Sequence, residues 1–236
     1  MRLTATVPAT FIRRLSRFSC LVEIAQGQVQ AHLANSGRLS ELLTPGRELR
    51  LTPAAGAGRL TAYDLTLARH QGFWVAVDAR LPNRIAAEAL LEGTVEGVGP
   101  VHSLVPEHRY GQSRLDLCLT LDEDGRCIML VETKSVTMVV DGEARFPDAP
   151  TARGARHLQE LIHAVEEGYR AAVLFVVQRP DAHRLAPNWA TDEAFAAGLG
   201  QAAQCGVELH ALVCRVEPTS IEIAGTIPIS TERTPA

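Results

Sequence analysis

Two acidic residues and one lysine stand close together in the segment 113–135, SRLDLCLTLDEDGRCIMLVETKS. Asp116 lies in its first half, and Glu132 and Lys134 lie two positions apart in its second half. Lys134 is the only lysine of the chain, since the other 22 of its 23 basic residues are arginine. A compact, strongly hydrated ammonium therefore has a task here that a planar guanidinium would not serve.

A β-hairpin would bring these three side chains together. The runs RLDLCLTL and RCIMLVETK have strand character, and the link 122–125 ends in a glycine that suits a three-residue loop. With that loop, paired residue numbers sum to 248, so Asp116 lies opposite Glu132 on one face, with Lys134 beside it. The leucines at 115, 117, 119 and 121 would then share the other face. A loop of two or four residues would shift the pairing by one position.

Two facing carboxylates repel each other, and a hard divalent cation between them removes the repulsion. We therefore expect Asp116 and Glu132 to bind Mg²⁺ or Mn²⁺ at a phosphodiester-cleaving site. Lys134 would orient a water molecule or stabilise the negative charge that develops on the phosphate. An ordinary hairpin with a solvent-exposed Glu–Lys pair is the alternative interpretation.

The charge of the chain is divided unevenly along its length. Residues 1–82 carry ten arginines and five acidic residues, a net charge of +5, and residues 83–236 carry 13 basic and 22 acidic residues, a net charge of −9. A basic part suits a polyanion such as DNA, with RNA kept open, and an acidic part suits bound cations.

Arginines alternate with aromatic residues near the start of the basic part. Arg13, Arg14 and Arg17 stand between Phe11 and Phe18. This pattern favours a nucleic-acid-binding groove that follows a phosphate backbone and stacks bases. Core aromatics with solvated arginines fit the same pattern.

The elements that must position these residues fall into two groups, which predict two domains. Short strands from FIRRLSRF to FWVAVDA, with one small helix at SGRLSELLTPG, indicate an all-β OB-like barrel over residues 1–82. The Gly-rich stretch 56–59 predicts the tip of a hairpin. The segment LPN at 81–83 marks the boundary.

Residues 83–236 predict an α/β domain with a mixed sheet flanked by helices. The predicted order is a helix ending at Gly93, strands near 94–104, 114–121 and 126–133, an amphipathic helix from TARGARH, and the fully buried strand RAAVLFVVQ. A helix capped by Thr191 and the strand VELHALVCRV follow. The tail from Ala224 is expected to be mobile.

Several motifs resemble the sugar fermentation stimulation protein family of bacteria and archaea. They are RYGQSRLDLCL, VETKSVT and FPDAPTARGARHLQEL, with ANSGRLSELLTPG and LPNRIAAEAL nearer the start. The resemblance implies an OB-like domain joined to a restriction-endonuclease-like domain of the PD-(D/E)xK superfamily. It also implies DNA binding and a link to the regulation of sugar metabolism genes.

The resemblance also implies roles for single residues. Asp116 matches the metal-binding Asp, Glu132 and Lys134 match the E-x-K pair, and Glu88 on the first helix matches a further acidic metal ligand.

A second set of matches concerns the nucleic acid. Arg153, Gly154 and His157 match a T-x-R-G-x-x-H segment that opens a helix, where Arg153 and His157 would bind phosphate. Arg38, in a segment that also resembles a family motif, completes the nucleic-acid-binding set.

Three functions remain open at this point. The first is a Mg²⁺- or Mn²⁺-dependent nuclease, the second a non-catalytic DNA-binding regulator of sugar metabolism genes that keeps the nuclease scaffold, and the third a metal enzyme acting on a small phosphate ester.

The five cysteines form no CxxC pair, which argues against a disulfide framework or a zinc ribbon. No apolar run is long enough for a membrane span, so we expect a cytoplasmic protein, with a homodimer kept open.

Overall fold

The computed structural model describes residues 1–54, 56 and 58–233, and within them the strands form three sheets. The first sheet contains β1 (Val7–Ser16), β2 (Ser19–Ile24), β3 (Gly27–His32), β4 (Glu48–Pro53), β5 (Tyr63–His70) and β6 (Phe73–Ala76). Its order is β3-β2-β1-β4-β5-β6, and an additional parallel pairing of β3 with β5 closes the first five strands into a barrel. The predicted OB-like barrel is confirmed.

Alternation of apolar and polar residues fills the barrel. In β2, Cys20, Val22 and Ile24 point inward and are buried, whereas Glu23 between them is exposed. Leucines from β4 and β5 complete this core.

The prediction of a small helix at SGRLSELLTPG is wrong. Two hydrogen bonds, from the backbone N–H groups of Leu42 and Leu43 to the carbonyl of Leu39, form a single turn. Leu39 has a φ of 51°, which no right-handed helix accommodates, so the helix cannot extend through it. The stretch 56–59, expected to be a hairpin tip, includes residue 57, which lies outside the described residues.

The second part of the chain builds a six-stranded mixed sheet of order β15-β14-β12-β9-β8-β7. Its strands are β7 (Ser103–Tyr110), β8 (Ser113–Thr120), β9 (Ile128–Val136), β12 (Arg170–Val177), β14 (Glu208–Glu217) and β15 (Ser220–Thr226). The central β12 runs parallel to both β9 and β14 and is buried on both faces, as its unbroken apolar sequence predicts. A small sheet is formed by β10 (Met138–Val140), β11 (Glu143–Phe146) and β13 (Arg184–Pro187).

Helices cover both faces of the large sheet. Helix α1 (Leu81–Leu91) packs on one face, and α2 (Ala152–Glu166) and α3 (Glu193–Gln204) pack on the other, each face with its own apolar core. This arrangement confirms the predicted α/β domain. None of the helices in the described part of the chain has the length and apolar character that a membrane crossing requires.

Three details differ from the sequence prediction. The strand expected near 94–104 is β7, which begins at Ser103. The cap of α3 is Asp192 rather than Thr191, because the Asp192 side chain accepts the backbone N–H of Phe195. The tail is ordered at least to Ile229, which bridges Leu185, while residues 234–236 lie outside the described residues.

The barrel and the α/β part share packing. Leu67, Trp74 and Ala76 of the barrel belong to the same apolar cluster as α1 and one face of the large sheet. Arg179, 1% exposed, donates to Glu41 Oε1 of the barrel part (2.6 Å) and to the carboxylate of Asp181 (2.7 and 2.8 Å). The division at residues 82 and 83 stays a prediction, with α1 beginning at Leu81 beside it.

Candidate functional site

The hairpin β8–β9 has the register that the sequence predicts. Its paired residues run from Thr120 opposite Ile128 to Leu117 opposite Val131, and every pair sums to 248. The backbone N–H of Leu121 extends the same register with a 2.9 Å bond to the carbonyl of Cys127, so the connecting loop is wider than three residues. The register therefore brings Asp116 to the level of Glu132.

Main-chain pairing between β8 and β9 ends at Leu117, and the next contact between these strands is made by the side chain of Asp116. Asp116 Oδ2 accepts both the backbone N–H and the hydroxyl of Thr133, each at 2.8 Å. On the neighbouring β7, Glu107 stands between the paired positions at the same level and has a φ of 55°. The carboxylate thus lies between two separating strands rather than on one face.

This interruption breaks the expected alternation of leucines on β8. Leu117 and Leu119 pack in the core beneath α1, but Leu115 packs in the core beneath α2 and α3. The prediction that the leucines from 115 to 121 share a face is confirmed for Leu117, Leu119 and Leu121 and wrong for Leu115, which lies beyond the interruption of the ladder at Asp116.

Asn83 of α1 holds the other oxygen of Asp116. Its Nδ2 donates to Asp116 Oδ1 at 2.7 Å, and its Oδ1 faces the Thr133 hydroxyl, whose single proton is shared between Asn83 Oδ1 and Asp116 Oδ2. Sequence reasoning missed Asn83, because an asparagine after Leu-Pro reads as the start of a helix and carries no signal of a partner 33 residues away.

Glu132 and Lys134 of β9 form a buried ion pair beneath α2. Lys134 Nζ lies 2.5 Å from Glu132 Oε1. Lys134 is 8% exposed and Glu132 is 4% exposed. The same oxygen accepts from His157 Nδ1. Glu132 Oε2 is buried and has no hydrogen-bond partner among the described residues.

Arg153 fixes the tautomer of His157. Its Nε donates to His157 Nε2 at 3.3 Å, and a guanidinium can only donate, so Nε2 carries no hydrogen. The proton of a neutral His157 therefore sits on Nδ1, directed at Glu132. The helices α1 and α2 lie on opposite sides of the sheet. Asn83 of α1 orients the Asp116 carboxylate, and His157 of α2 orients the Glu132 carboxylate.

The surroundings shift the pKa values of the two carboxylates in opposite directions. Burial, aided by the nearby charge of Glu132, raises the pKa of Asp116 despite the hydrogen bonds from Thr133. Burial would also raise the pKa of Glu132, but the hydrogen bond from His157 and the charge of Lys134 lower it below its ordinary value. Such a divided pair is typical of sites in which two carboxylates have different tasks.

The donor set fits a hard divalent cation in part. Glu132 Oε2 and the Asp116 carboxylate are the oxygen ligands that Mg²⁺ and Ca²⁺ prefer. In the described part of the chain, however, no group of three His, Cys, Asp or Glu residues is arranged to bind a metal. An ion held here would keep several water ligands, as Mg²⁺ usually does.

The structure does not bring Glu88 to this site. Its carboxylate lies 3.2 Å from the amino group of Met1 and is 45% exposed. Glu88 follows Asn83 by five residues, which is roughly 140° around the helix, so the two side chains face different directions.

The predicted nucleic-acid residues fall into distinct environments. Arg13, Arg17 and Arg38 are exposed on the barrel, and Arg153 is exposed at the start of α2, whereas His157 is buried. His157 therefore contacts Glu132 rather than a surface ligand.

Arg14 differs from the exposed arginines. Its guanidinium donates to the carbonyl groups of Ser16, Arg17, Asn35, Gly37 and Arg38 at 2.7–3.2 Å, and it braces the barrel loops.

Comparisons with known proteins agree with this architecture. A family model described as "SfsA N-terminal OB domain" matches residues 12–77, and one described as "Sugar fermentation stimulation protein RE domain" matches residues 80–220. The predicted fold class, an OB barrel followed by a restriction-endonuclease-like α/β domain, is confirmed.

Relatives are similar over nearly their whole length. The sugar fermentation stimulation protein homolog of Moorella thermoacetica is 44% identical over 94% of this chain and 96% of the relative. The homolog of Desulforamulus reducens is 42% identical over 94% and 92%. A solved structure, Pyrococcus furiosus SfsA in complex with Ca²⁺, superposes with a TM-score of 0.84 at 32% identity and covers 98% of both chains. The chain therefore belongs to the sugar fermentation stimulation protein family.

Proposed function

We propose that the chain is a DNA-binding protein with a Mg²⁺- or Mn²⁺-dependent phosphodiesterase site at Asp116, Glu132 and Lys134. The observation that carries the proposal is Glu132 Oε2, a buried carboxylate oxygen without a hydrogen-bond partner among the described residues, on the strand next to Asp116 and at its level. A buried polar atom of this kind requires a partner, and a bound cation would be one.

The chain's own residues would prepare the site as follows. Asn83 and Thr133 orient Asp116, and His157 and Lys134 hold Glu132 ionised, so that the two carboxylates would hold the ion. A bound divalent cation would supply charge neutralisation and a more acidic water. One Lys134 N–H is directed at Glu132, which leaves two to orient a water or to donate to a phosphate oxygen.

Comparison with the family supports this proposal. The Pyrococcus furiosus relative is described in complex with Ca²⁺, a hard cation with the same preference for oxygen ligands. The matching family model for residues 80–220 is described as an RE domain.

The barrel would hold the nucleic acid. Its basic character, a net charge of +5 over residues 1–82, and its exposed Arg13, Arg17 and Arg38 favour a polyanion. Access to DNA would place the protein in the cytoplasm, as expected from the sequence.

The test combines metal binding and cleavage. Calorimetry with Ca²⁺, Mg²⁺ and Mn²⁺ should show binding to the wild type and little or none to Asp116→Asn or Glu132→Gln. With Mn²⁺, cleavage of single- or double-stranded DNA or RNA should fall about 100-fold or more in Lys134→Met, which loses a charge-stabilising donor. Equal metal binding by the wild type and both carboxylate variants would overturn the proposal.

A non-catalytic DNA-binding regulator is the second candidate. It is favoured because Lys134 and His157 already occupy one oxygen of Glu132, and because the described residues contain no three-ligand group. In that case DNA affinity would fall steeply with salt, and it would change neither with chelator nor with Asp116→Asn. Removal of Arg38 would reduce the salt slope by about one.

A further inference from the structure

The turn between β1 and β2 presents an aromatic ring to solvent. Phe18 at this turn is 47% exposed, whereas Phe11 on the same hairpin is 3% exposed and belongs to the barrel core. The guanidinium of Arg17 lies 5.4 Å from the centre of the Phe18 ring. An exposed aromatic ring beside a cation is a surface on which a nucleobase can stack.

Hydrogen bonds fix this turn to its neighbours. Arg14 donates to the carbonyls of Ser16 and Arg17 within the turn, and to those of Gly37 and Arg38 in the adjacent loop. The carbonyl of Phe18 also accepts the backbone N–H of Leu33 at 2.9 Å. The Phe18 ring is therefore held on a turn that hydrogen bonds already order, which reduces the conformational entropy lost on binding.

The adjacent loop connects the turn with the part of the chain that carries Lys134. A Cβ at Gly37 would overlap the carboxylate of Asp148, so the two domains approach closely here and a larger residue would require the Asp148 side chain to move. Arg38 and Thr137 line the same cavity of about 120 Å³ at the junction. Thr137 follows Lys134 by three residues, roughly 10 Å along an extended chain.

We propose that Phe18 stacks on an unpaired base of a single nucleic-acid strand, whose phosphates contact Arg17 and Arg38 as the strand continues toward the Asp116–Glu132 site. This inference rests on the proposed function and adds a preference for single-stranded or unpaired substrate. Bases within a duplex are already stacked on their neighbours, so the ring has no free base face to contact there.

The test uses the full chain in Ca²⁺ or in chelator, and therefore needs no turnover. Affinity for a poly-dT or poly-U strand of about 20 nucleotides should fall about 10- to 100-fold in Phe18→Ala. Affinity for a covalently closed circular DNA duplex, which has neither loop bases nor ends, should stay within about twofold. Phe18→Trp should restore the single-strand affinity. Leu91→Ala, which removes another exposed apolar side chain, is the matched control and should match the wild type.

An abasic strand provides the decisive comparison. If the ring stacks on a base, Phe18→Ala should have no effect on binding to a strand that carries abasic sites. The salt dependence should also be unchanged, because no charge is removed, whereas Arg38→Ala should weaken binding to every substrate.

Equal losses for single strands and duplexes in Phe18→Ala, or no loss for either, would overturn the stacking proposal while DNA binding itself stands. A wild type that binds no nucleic acid would overturn both the stacking proposal and the proposed function. The DNA and RNA strands show which sugar the site accepts.

Discussion

At the scale of single residues, the surroundings of Lys134 explain why an ammonium stands there. Its Nζ is packed between β9 and α2, 2.5 Å from Glu132 Oε1, and the residue is 8% exposed. A guanidinium is larger, planar and spreads five donors over a fork, which this buried position beside His157 could satisfy only by displacing the carboxylate. The compact ammonium shares one oxygen of Glu132 with His157 and leaves Oε2 available.

The first prediction concerns this ion pair. Lys134→Met keeps a long apolar stem but leaves the buried Glu132 carboxylate with His157 as its one remaining side-chain partner, so we expect the free energy of unfolding to fall by about 3 kcal/mol at pH 7. Glu132→Gln in the same background should recover much of this loss, because no buried charge then remains. Urea unfolding of the wild type, the two single variants and the double variant measures it, and strictly additive single losses would contradict the prediction.

The same variant has a pH dependence of known sign. In the wild type the pKa of Glu132 is lowered below its ordinary 4.5, so its ionisation stabilises the fold above that pH, and this contribution is lost as the pH falls through the folded-state pKa. Without Lys134, burial is opposed only by the contact with His157, so the pKa of Glu132 should be higher than in the wild type, and protonation should cost the variant less stability. The difference in stability should therefore narrow between pH 7 and about pH 4.

The second prediction concerns Asn83, which touches Asp116 and Thr133 but would not bind the ion itself. Asn83→Ala frees Asp116 Oδ1 to rotate, so divalent-ion affinity should fall about 10- to 100-fold, the usual cost of losing a residue that orients a metal ligand. Calorimetric titration with Ca²⁺ measures the change. Arg84→Ala, the exposed neighbour on α1, should bind as the wild type does, and an equal loss there would contradict a specific role for Asn83.

At the scale of elements, one carboxylate fixes the beginnings of two helices. Asp192 accepts the backbone N–H of Phe195 at 2.9 Å, which caps α3, and that of Thr151 at 2.7 Å. Thr151 in turn caps α2 by accepting from Gly154 at 3.0 Å. The helix that carries His157 is therefore oriented through the start of α3.

The third prediction follows from this shared cap. Asp192→Ala removes acceptors for two backbone N–H groups, so the free energy of unfolding should fall by about 2 kcal/mol. Asp192→Asn keeps one oxygen acceptor and is almost as good a cap, so its loss should be about half as large. Thermal and urea unfolding distinguish the two variants, and equal losses would show that the two bonds do not both contribute.

Sequence patterns predicted those elements whose formation depends on local periodicity. The unbroken apolar run of β12, the amphipathic face of α2 and the Gly125 hairpin signal each carry their own information, and even the β8–β9 register followed from them. The interruption at Asp116 was not predictable, because it depends on Asn83 from a distant helix.

The turn at Arg17 and Phe18 was missed for a different reason. It contains none of the stronger turn residues Gly, Pro, Asn and Asp, and its one local signal is Ser16, whose hydroxyl accepts the backbone N–H of Phe18 at 3.3 Å. Arg14 also braces it through contacts with a loop more than 20 residues away, which no local pattern predicts.

At the scale of the whole molecule, the barrel and the α/β part are joined by apolar packing and by one buried cation. Leu67 and Trp74 of the barrel share a core with α1, and Arg179 links Glu41 to Asp181 and to the carbonyl of Thr137 at 2.8 Å. A nucleic-acid strand that contacts both parts of the protein requires that the two parts keep a fixed relative position.

The fourth prediction tests how far Arg179 maintains that position. Arg179→Met leaves Glu41 and Asp181 without their shared cation, so stability should fall by about 3 kcal/mol and calorimetric unfolding should separate into two transitions. Arg170→Met is the matched control: Arg170 also donates four hydrogen bonds, to the Glu208 carboxylate and two carbonyls, but all lie within the α/β part. It should destabilise without separating the transitions. A single transition in Arg179→Met would mean that the contacts kept by both variants, including the shared apolar core and the hydrogen bonds between Ala76 and Gln178, are enough to hold the two parts together.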